Sequence, residues 1–193
     1  MRADLLLVGL GNPGKRYEKT RHNVGFMLCD TIAQLIDKPF HFGPGNSLAL
    51  EWKVAGKGVL VAKPLTFMNS SGEAIPPLLE AAGLQPQDLL VVCDDFSLPL
   101  GTLRIRKKGS SGGHKGLQSI IDVLGSELFP RMRIGIGGED PVEDRVEFVL
   151  SKFSRRELET VQKLLPIAVD AVKTILTAGY ERAMTEFNRK FDV

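Results

Sequence analysis

The stretch LLLVGLGNPGKRYEKTRHNVGF, Leu5 to Phe26, decides how the chain is read. It begins as a continuous apolar run ending in Gly9, the pattern of a strand buried on both faces. Gly9-Leu10-Gly11-Asn12-Pro13-Gly14 then matches the G-x-G-x-x-G pattern of dinucleotide-binding proteins. That fingerprint needs glycines that end a strand and open a helix directly, so that a pyrophosphate rests on the helix N-terminus. Here the continuation KRYEKTRH lacks helical apolar spacing. Pro13 also removes an N–H where a phosphate needs donors. Asp30 falls inside the next helix, not at the end of a second strand, where the ribose-binding acid belongs. The glycines read better as a tight strand-to-loop turn, and a nicotinamide enzyme is the weakest of three function classes.

Working outward, Val24, Met27, Leu28, Ile32 and Leu35 recur at helical spacing, with Asn23 as a candidate N-cap. LALEWKVAGKGVLVAKP predicts two strands around Gly56-Lys57-Gly58. Ser70-Ser71-Gly72-Glu73 fits a capping box for a helix ending near Gly83, but Pro76 and Pro77 require that helix to kink or to start later. DLLVVCD predicts another buried strand. Leu103 and Ile105 alternate with Arg104 and Arg106, and Met132, Ile134 and Ile136 oppose Arg131 and Arg133, so both segments are strands with a basic face. Between them, KKGSSGGHKG is a glycine-rich loop leading into a helix over Lys115–Leu124, stopped by Gly125. Ser154 to Glu157 forms a second capping box, for a long helix with a kink expected at Pro166. An amphipathic segment follows Gly179. Strands alternate with helices, which predicts an α/β fold: one domain over residues 1–193, with a twisted, mixed and mostly parallel sheet flanked by helices.

The chain has 193 residues, 43% of them hydrophobic and 25% charged, enough for a full core in one domain. No apolar run approaches the ~20 residues of a membrane helix, and no secretory leader is recognisable, so a cytoplasmic protein is expected. Cys29 and Cys93 sit far apart in apolar segments and read as buried, reduced thiols. Net charge is only +2, but RIRKKG at Arg104–Gly109 and RMR at Arg131–Arg133 concentrate positive charge, while GEDPVEDR concentrates acid. Such local basic patches bind phosphates even when the total is near neutral.

Sites in open α/β sheets form beyond the carboxyl ends of strands. Asn12 lies there, as do Asp94 and Asp95; Asn69 precedes a helix, and His22 and His114 each end a loop. A histidine, a carboxylate and two amides suit hydrolysis by an activated water: the imidazole takes the proton, the carboxylate orients it and the amides hold the carbonyl. Each also has a bland reading, as a helix-end histidine, a turn-forming aspartate or a cap; His41 reads as a surface loop residue. There is no H-E-x-x-H, no cysteine–histidine cluster and no G-x-S-x-G, so neither a metal nor a serine nucleophile is indicated.

GLGNPGKRYEKTRHNVGF, KPLTFMNSSGEAI, VVCDDFSLPLGTLRIRKKGSSGGHKGLQSII and FPRMRIGIG occur in the order and spacing of one family. On these blocks, from about Leu5 to Phe187, the chain strongly resembles the bacterial-type peptidyl-tRNA hydrolases. The resemblance implies cleavage of the ester between a peptide's C-terminal carbonyl and the tRNA 3′ ribose, without metal or cofactor. It implies His22 as general base and Asp94 as its orienting partner. Asn12 and Asn69 would hold the peptide end and developing charge, with Tyr17, Met68, His114 and Lys115 also meeting substrate. Arg106 and Arg133 would contact the tRNA backbone. The chain departs from the family at Lys115, where asparagine is common, at Cys93, where histidine is frequent, and at Ser97, where aspartate is common. A lysine donates hydrogen bonds but cannot accept them, so it cannot orient water as an amide does. A non-catalytic RNA-binding protein on the same scaffold is the second class, against which His22, Asp94, Asn12 and Asn69 stand together. A monomer is expected, since no strand edge or helix face is dedicated to a partner.

Overall fold

The computed structural model describes residues 3–138 and 143–193. Glu139 and Asp140, from the middle of the acidic segment, lie outside the described residues. Among the described residues, seven strands form one sheet: β1 (Leu5–Gly9), β2 (His41–Gly43), β3 (Ser47–Val54), β4 (Lys57–Pro64), β5 (Leu89–Pro99), β6 (Leu103–Arg106) and β7 (Arg131–Gly137). Their order is β2-β3-β4-β1-β5-β7-β6. The centre, β4-β1-β5-β7, is parallel, and β2, β3 and β6 add antiparallel edges. The expected mixed α/β sheet is therefore present. His41 belongs to the short edge strand β2 rather than to a loop, though it is exposed.

Helices cover both faces: α1 (Val24–Leu35), α2 (Ile75–Ala82), α3 (Lys115–Leu124), α4 (Arg145–Leu150), α5 (Arg155–Ala178) and α6 (Tyr180–Phe187). Strand alternation sorts the core into two layers. Leu5, Leu7, Leu90 and Val92 join Leu28, Ile32, Leu164 and Val172 on the α1–α5 side. Leu6, Val8, Leu89 and Val91 join Ile75, Leu78, Leu117 and Ile120 on the α2–α3 side. A strand buried on both faces shows no polar alternation, which is why Leu5–Gly9 reads as a plain apolar run.

Two local expectations are revised. The Ser70–Glu73 capping box does not form. Met68–Ala74 is a 3₁₀ turn in which the Ser71 hydroxyl donates to the Met68 carbonyl, and α2 starts at Ile75 with proline in its first turn. Proline there lacks only an N–H that the helix would leave unused. Asn23 does precede α1, but its side chain caps nothing: its amide is spent on Asn12. The Ser154–Glu157 capping box forms as expected, and α5 continues through Pro166.

The opening glycines have a packing explanation. A Cβ on Gly9 would stand 2.2 Å from the Gly25 carbonyl oxygen, and one on Gly25 would stand 2.5 Å from both the Leu10 nitrogen and the Val92 oxygen. Helix α1 thus rests backbone-to-backbone on β1 and β5, and the first turn of α1 is drawn over the strand ends. Gly25→Ala should destabilise the protein by about 1–3 kcal/mol or more, as overpacking does, read as a lowered urea midpoint. An unchanged midpoint would show that α1 is not held this closely.

Candidate active site

The 3₁₀ turn Arg21–Asn23 places His22 beside Asp94, with the His22 Nδ1 and the Asp94 Oδ1 2.7 Å apart; Asp94 and Asp95 lie within β5, which runs on to Pro99, not beyond its end as expected. Both groups are buried. The glycine-rich loop brings a second imidazole to the same oxygen: His114 Nε2 lies 3.0 Å from Asp94 Oδ1. Burial alone would raise the Asp94 carboxyl's pKa, but the charges and hydrogen bonds of His114 and His22 outweigh it and hold the group well below the usual carboxylate range. Asp94 is therefore ionised, and both ring nitrogens facing it donate.

The protons can be followed further. His114 is the N-cap of α3, and its Nδ1 accepts from the Leu117 N–H at 3.2 Å. A neutral His114 must then carry its proton on Nε2, toward Asp94. A neutral His22 that gives its Nδ1–H to Asp94 carries its lone pair on Nε2. Asn12 is fixed in the same way. Its backbone N–H donates to Asn23 Oδ1 at 2.9 Å, its carbonyl accepts from Asn23 Nδ2 at 2.9 Å, and its own Oδ1 accepts from the Met68 N–H at 2.8 Å. Among the described residues, only the Asn12 Nδ2 donor is left over. A cavity of about 390 Å³ opens onto His22, Asn12, Asn69 and Asp94, with Met68 and Lys115 also on its wall. Helix α4 closes one side with Val146, Val149 and Leu150.

Residues 6–192 match the family model described as peptidyl-tRNA hydrolase. The chain belongs to the peptidyl-tRNA hydrolase family. A peptidyl-tRNA hydrolase of Aquifex aeolicus is 46% identical over 185 residues, covering 96% of both chains. One from Chlorobium phaeobacteroides is 44% identical, covering 96% of this chain and 98% of its own. The crystal structure of the peptidyl-tRNA hydrolase from Acinetobacter baumannii superposes with a TM-score of 0.86 at 30% identity, covering 98% of this chain and 97% of that one.

Among the site residues expected from this family resemblance, the fold gathers His22, Asp94, Asn12, Met68, Asn69, His114 and Lys115 around one cavity. Lys115 and Asn69 are exposed at its mouth. His114 is engaged with Asp94, a partnership the sequence reading did not foresee. Tyr17 is not on the cavity wall. It meets the rim through Phe67, edge to face at a centroid distance of 6.5 Å, and Arg16 lies over its ring. Arg133 lines the cavity but is bonded to protein: Nη1 pairs with Asp95 at 3.0 Å, and Nη2 donates to the Ser110 and Ser111 carbonyls. Arg106 stands apart on the exposed face of β6. Cross-strand register sets Arg104 opposite Arg133 and Arg106 opposite Arg131. Arg131 does not share that exposure. It is buried, donating to the carbonyls of Gly109, Ser110, Glu127 and Phe129.

The ligand-capable atoms of His22, Asp94 and His114 lie within 4.8 Å of one another, close enough for a metal ion to bridge. The proton arrangement does not fit one. A metal on His114 Nε2 would force the proton onto Nδ1, against the Leu117 N–H.

The depressed Asp94 carboxyl has a consequence for stability. A group whose folded pKa lies below its unfolded value near 3.9 stabilises the fold above about pH 4 and loses that contribution as pH falls. Asp94→Asn lacks it, so its urea midpoint should fall less steeply than the parent's between about pH 4 and pH 2. Parallel curves would mean that the imidazoles do not hold the carboxyl down.

Proposed function

We propose that this protein hydrolyses the ester of peptidyl-tRNA, releasing peptide and tRNA, with His22 as the general base. Family membership supports the reaction, and one observation carries the role of His22: its Nδ1 is committed to the ionised Asp94, so its Nε2 is the basic atom at the cavity. A water bonded to Nε2 gives up its proton as its oxygen attacks the ester carbonyl. The Asn12 Nδ2 donor and the Asn69 amide stabilise the developing oxyanion. The imidazolium, steadied by Asp94, then returns the proton to the departing ribose oxygen. An alkoxide leaves more readily than an amine, so one base and one water suffice. Met68 and the α4 side chains give the peptide end an apolar wall. Lys115, a cation exposed at the cavity mouth, meets the terminal phosphate, and Tyr17 supports the substrate through Phe67.

The exposed basic face of β6, carried by Arg106 and Arg104, receives the tRNA backbone. Arg133 adds positive charge there while bracing the glycine-rich loop. Contacts of this kind position a duplex without reading its sequence. We further infer that residues 1–193 act as one monomeric domain in the cytoplasm, where the substrate is made, with no cofactor.

His22→Ala should lower kcat on N-acetyl-aminoacyl-tRNA by ~10²–10⁴ while leaving tRNA affinity intact. Release at the parent's rate would remove His22 from the base position. Arg106→Ala should weaken tRNA binding and reduce the slope of log affinity against log salt by roughly one. An unchanged slope would mean that the RNA lies elsewhere. Parent protein that binds tRNA but never releases the amino acid would be a binder, not a hydrolase.

A further inference from the structure

Arg21 precedes the base in sequence, yet its guanidinium points away from the cavity and into the junction between α4 and α5. Nη1 donates to the Ser151 hydroxyl at 2.6 Å and to the Lys152 carbonyl at 2.7 Å. Nη2 reaches both Glu157 oxygens at 2.8 Å. The Phe148 and Phe153 rings lie 4.6 Å and 5.4 Å from the guanidinium carbon. Among the described residues, the buried Arg21 Nε has no hydrogen-bond partner. The main chain repeats the connection: the Arg21 N–H donates to the Ser151 carbonyl at 3.0 Å, and the Phe153 N–H donates to the Lys19 carbonyl at 3.0 Å.

These contacts join two parts of the site. Ser151 ends α4, and its hydroxyl also donates to the Phe148 carbonyl within that helix. Four residues of α4, Arg145, Val146, Val149 and Leu150, line one wall of the cavity. Lys19 to Arg21 lead directly into His22. Glu157 is held from its other side by the α5 capping box, where its Oε2 accepts from the Ser154 N–H at 2.7 Å. The guanidinium is thus anchored on α5 and grips the end of α4 while its own backbone carries the base. At the other end of α4, Arg145 lies over Phe96, and residues 139–142 are outside the described part of the chain.

We propose that Arg21 is a positioning residue for the hydrolysis, fastening the α4 wall of the substrate cavity to His22 so that wall and base keep one spacing. The proposal rests on the hydrolase reading above. Its physical ground is that a guanidinium fork fixes direction as well as charge, which an ammonium does not. A misplacement of about 1 Å between a bound substrate and its base can cost ~10²-fold in rate.

The test variant is Arg21→Lys, which keeps the cation and loses the fork; Arg21→Ala would strand the Glu157 carboxylate and risk the fold. At a temperature where its unfolding curve shows only native protein, Arg21→Lys should lose ~10–100-fold in kcat/KM, with KM raised as well as kcat lowered. Glu157→Gln should lose less, in the same direction. Val149→Ala trims the wall itself. Combined with Arg21→Lys it should give a loss smaller than the product of the single losses, because both act on one spacing. A second measurement is independent of turnover. Hydrogen exchange on the intact Arg21→Lys chain should quicken together at the amides of Arg21–Asn23 and of Phe148–Ser151, and stay unchanged in α2.

A variant that melts earlier but keeps the parent's kcat and KM, or that exchanges faster everywhere alike, would make Arg21 a structural residue only and overturn the proposal. So would losses that multiply independently with Val149→Ala. A parent that turns over no peptidyl-tRNA sinks the hydrolase reading instead, and the exchange pattern still decides whether Arg21 couples the two segments.

Discussion

One carboxylate oxygen holds the site together. Asp94 Oδ1 accepts from two imidazoles that arrive on different loops, one following β1 and the other preceding α3. An ion so deeply buried is tolerated only when its charge is met by donors, and here each donor is itself fixed from behind. The helix α3 backbone decides the His114 tautomer. The Asn12–Asn23 pairing ties the chain on the far side of His22 back to the end of β1. The parallel centre of the sheet makes this convergence possible: β1 and β5 are neighbours running the same way, and β1 stops at Gly9 opposite Val92, so its edge opens onto the continuing part of β5 that carries Asp94. The close seat of Gly25 on β5 brings the chain around His22 over that edge. Loosening any of these elements would change where the imidazole stands.

Much of this frame was legible in the sequence because it depends on local chemistry. Apolar runs marked the buried strands, period-two alternation marked β6 and β7, and Gly125 and the Ser154 box marked helix ends where they fall. The misreadings share a cause. Asn23 and the Ser70–Glu73 segment carry residues that cap helices in isolation, yet their polar groups serve partners set by the fold: the Asn23 amide reaches Asn12, and the Gly72 N–H reaches the Ser119 hydroxyl. His114 and Arg21 are harder still. Their partners, Asp94 and Glu157, lie 20 and 136 positions away, so no spacing rule points to them. The signal that could have been used for Arg21 is modest: a cation next to the base, in a segment whose neighbours are apolar enough to bury it. That seven residues named from the sequence line one cavity owes most to long motif blocks shared with a family, and less to spacing.

The basic strands show how the fold manages repulsion. Four arginines share one face of the β6–β7 pair, an arrangement that destabilises a sheet unless the charges are separated or satisfied. Arg131 is satisfied by four carbonyls, and burial together with the nearby Arg133 charge lowers its pKa. Arg133 pairs with Asp95 through Nη1. Arg104 and Arg106 are left to solvent. The outer half of the face is thus open to an anion, while the inner half has become mortar for the glycine-rich loop that carries His114. One sequence pattern therefore serves two purposes, and alternation alone could not divide them.

The two thiols bring a practical consequence. Burial pushes the Cys29 thiol up to about 12, and burial with the neighbouring Asp94 charge pushes Cys93 higher still. The reactive species in alkylation and in oxidation by peroxide is the thiolate, which neither residue can supply near neutral pH. Although Cys93 adjoins the key carboxylate in sequence, iodoacetamide and maleimides should find nothing to modify in the native molecule. Both sulfurs lie inside the fold, so a reagent aimed at thiols meets no exposed target on the native surface.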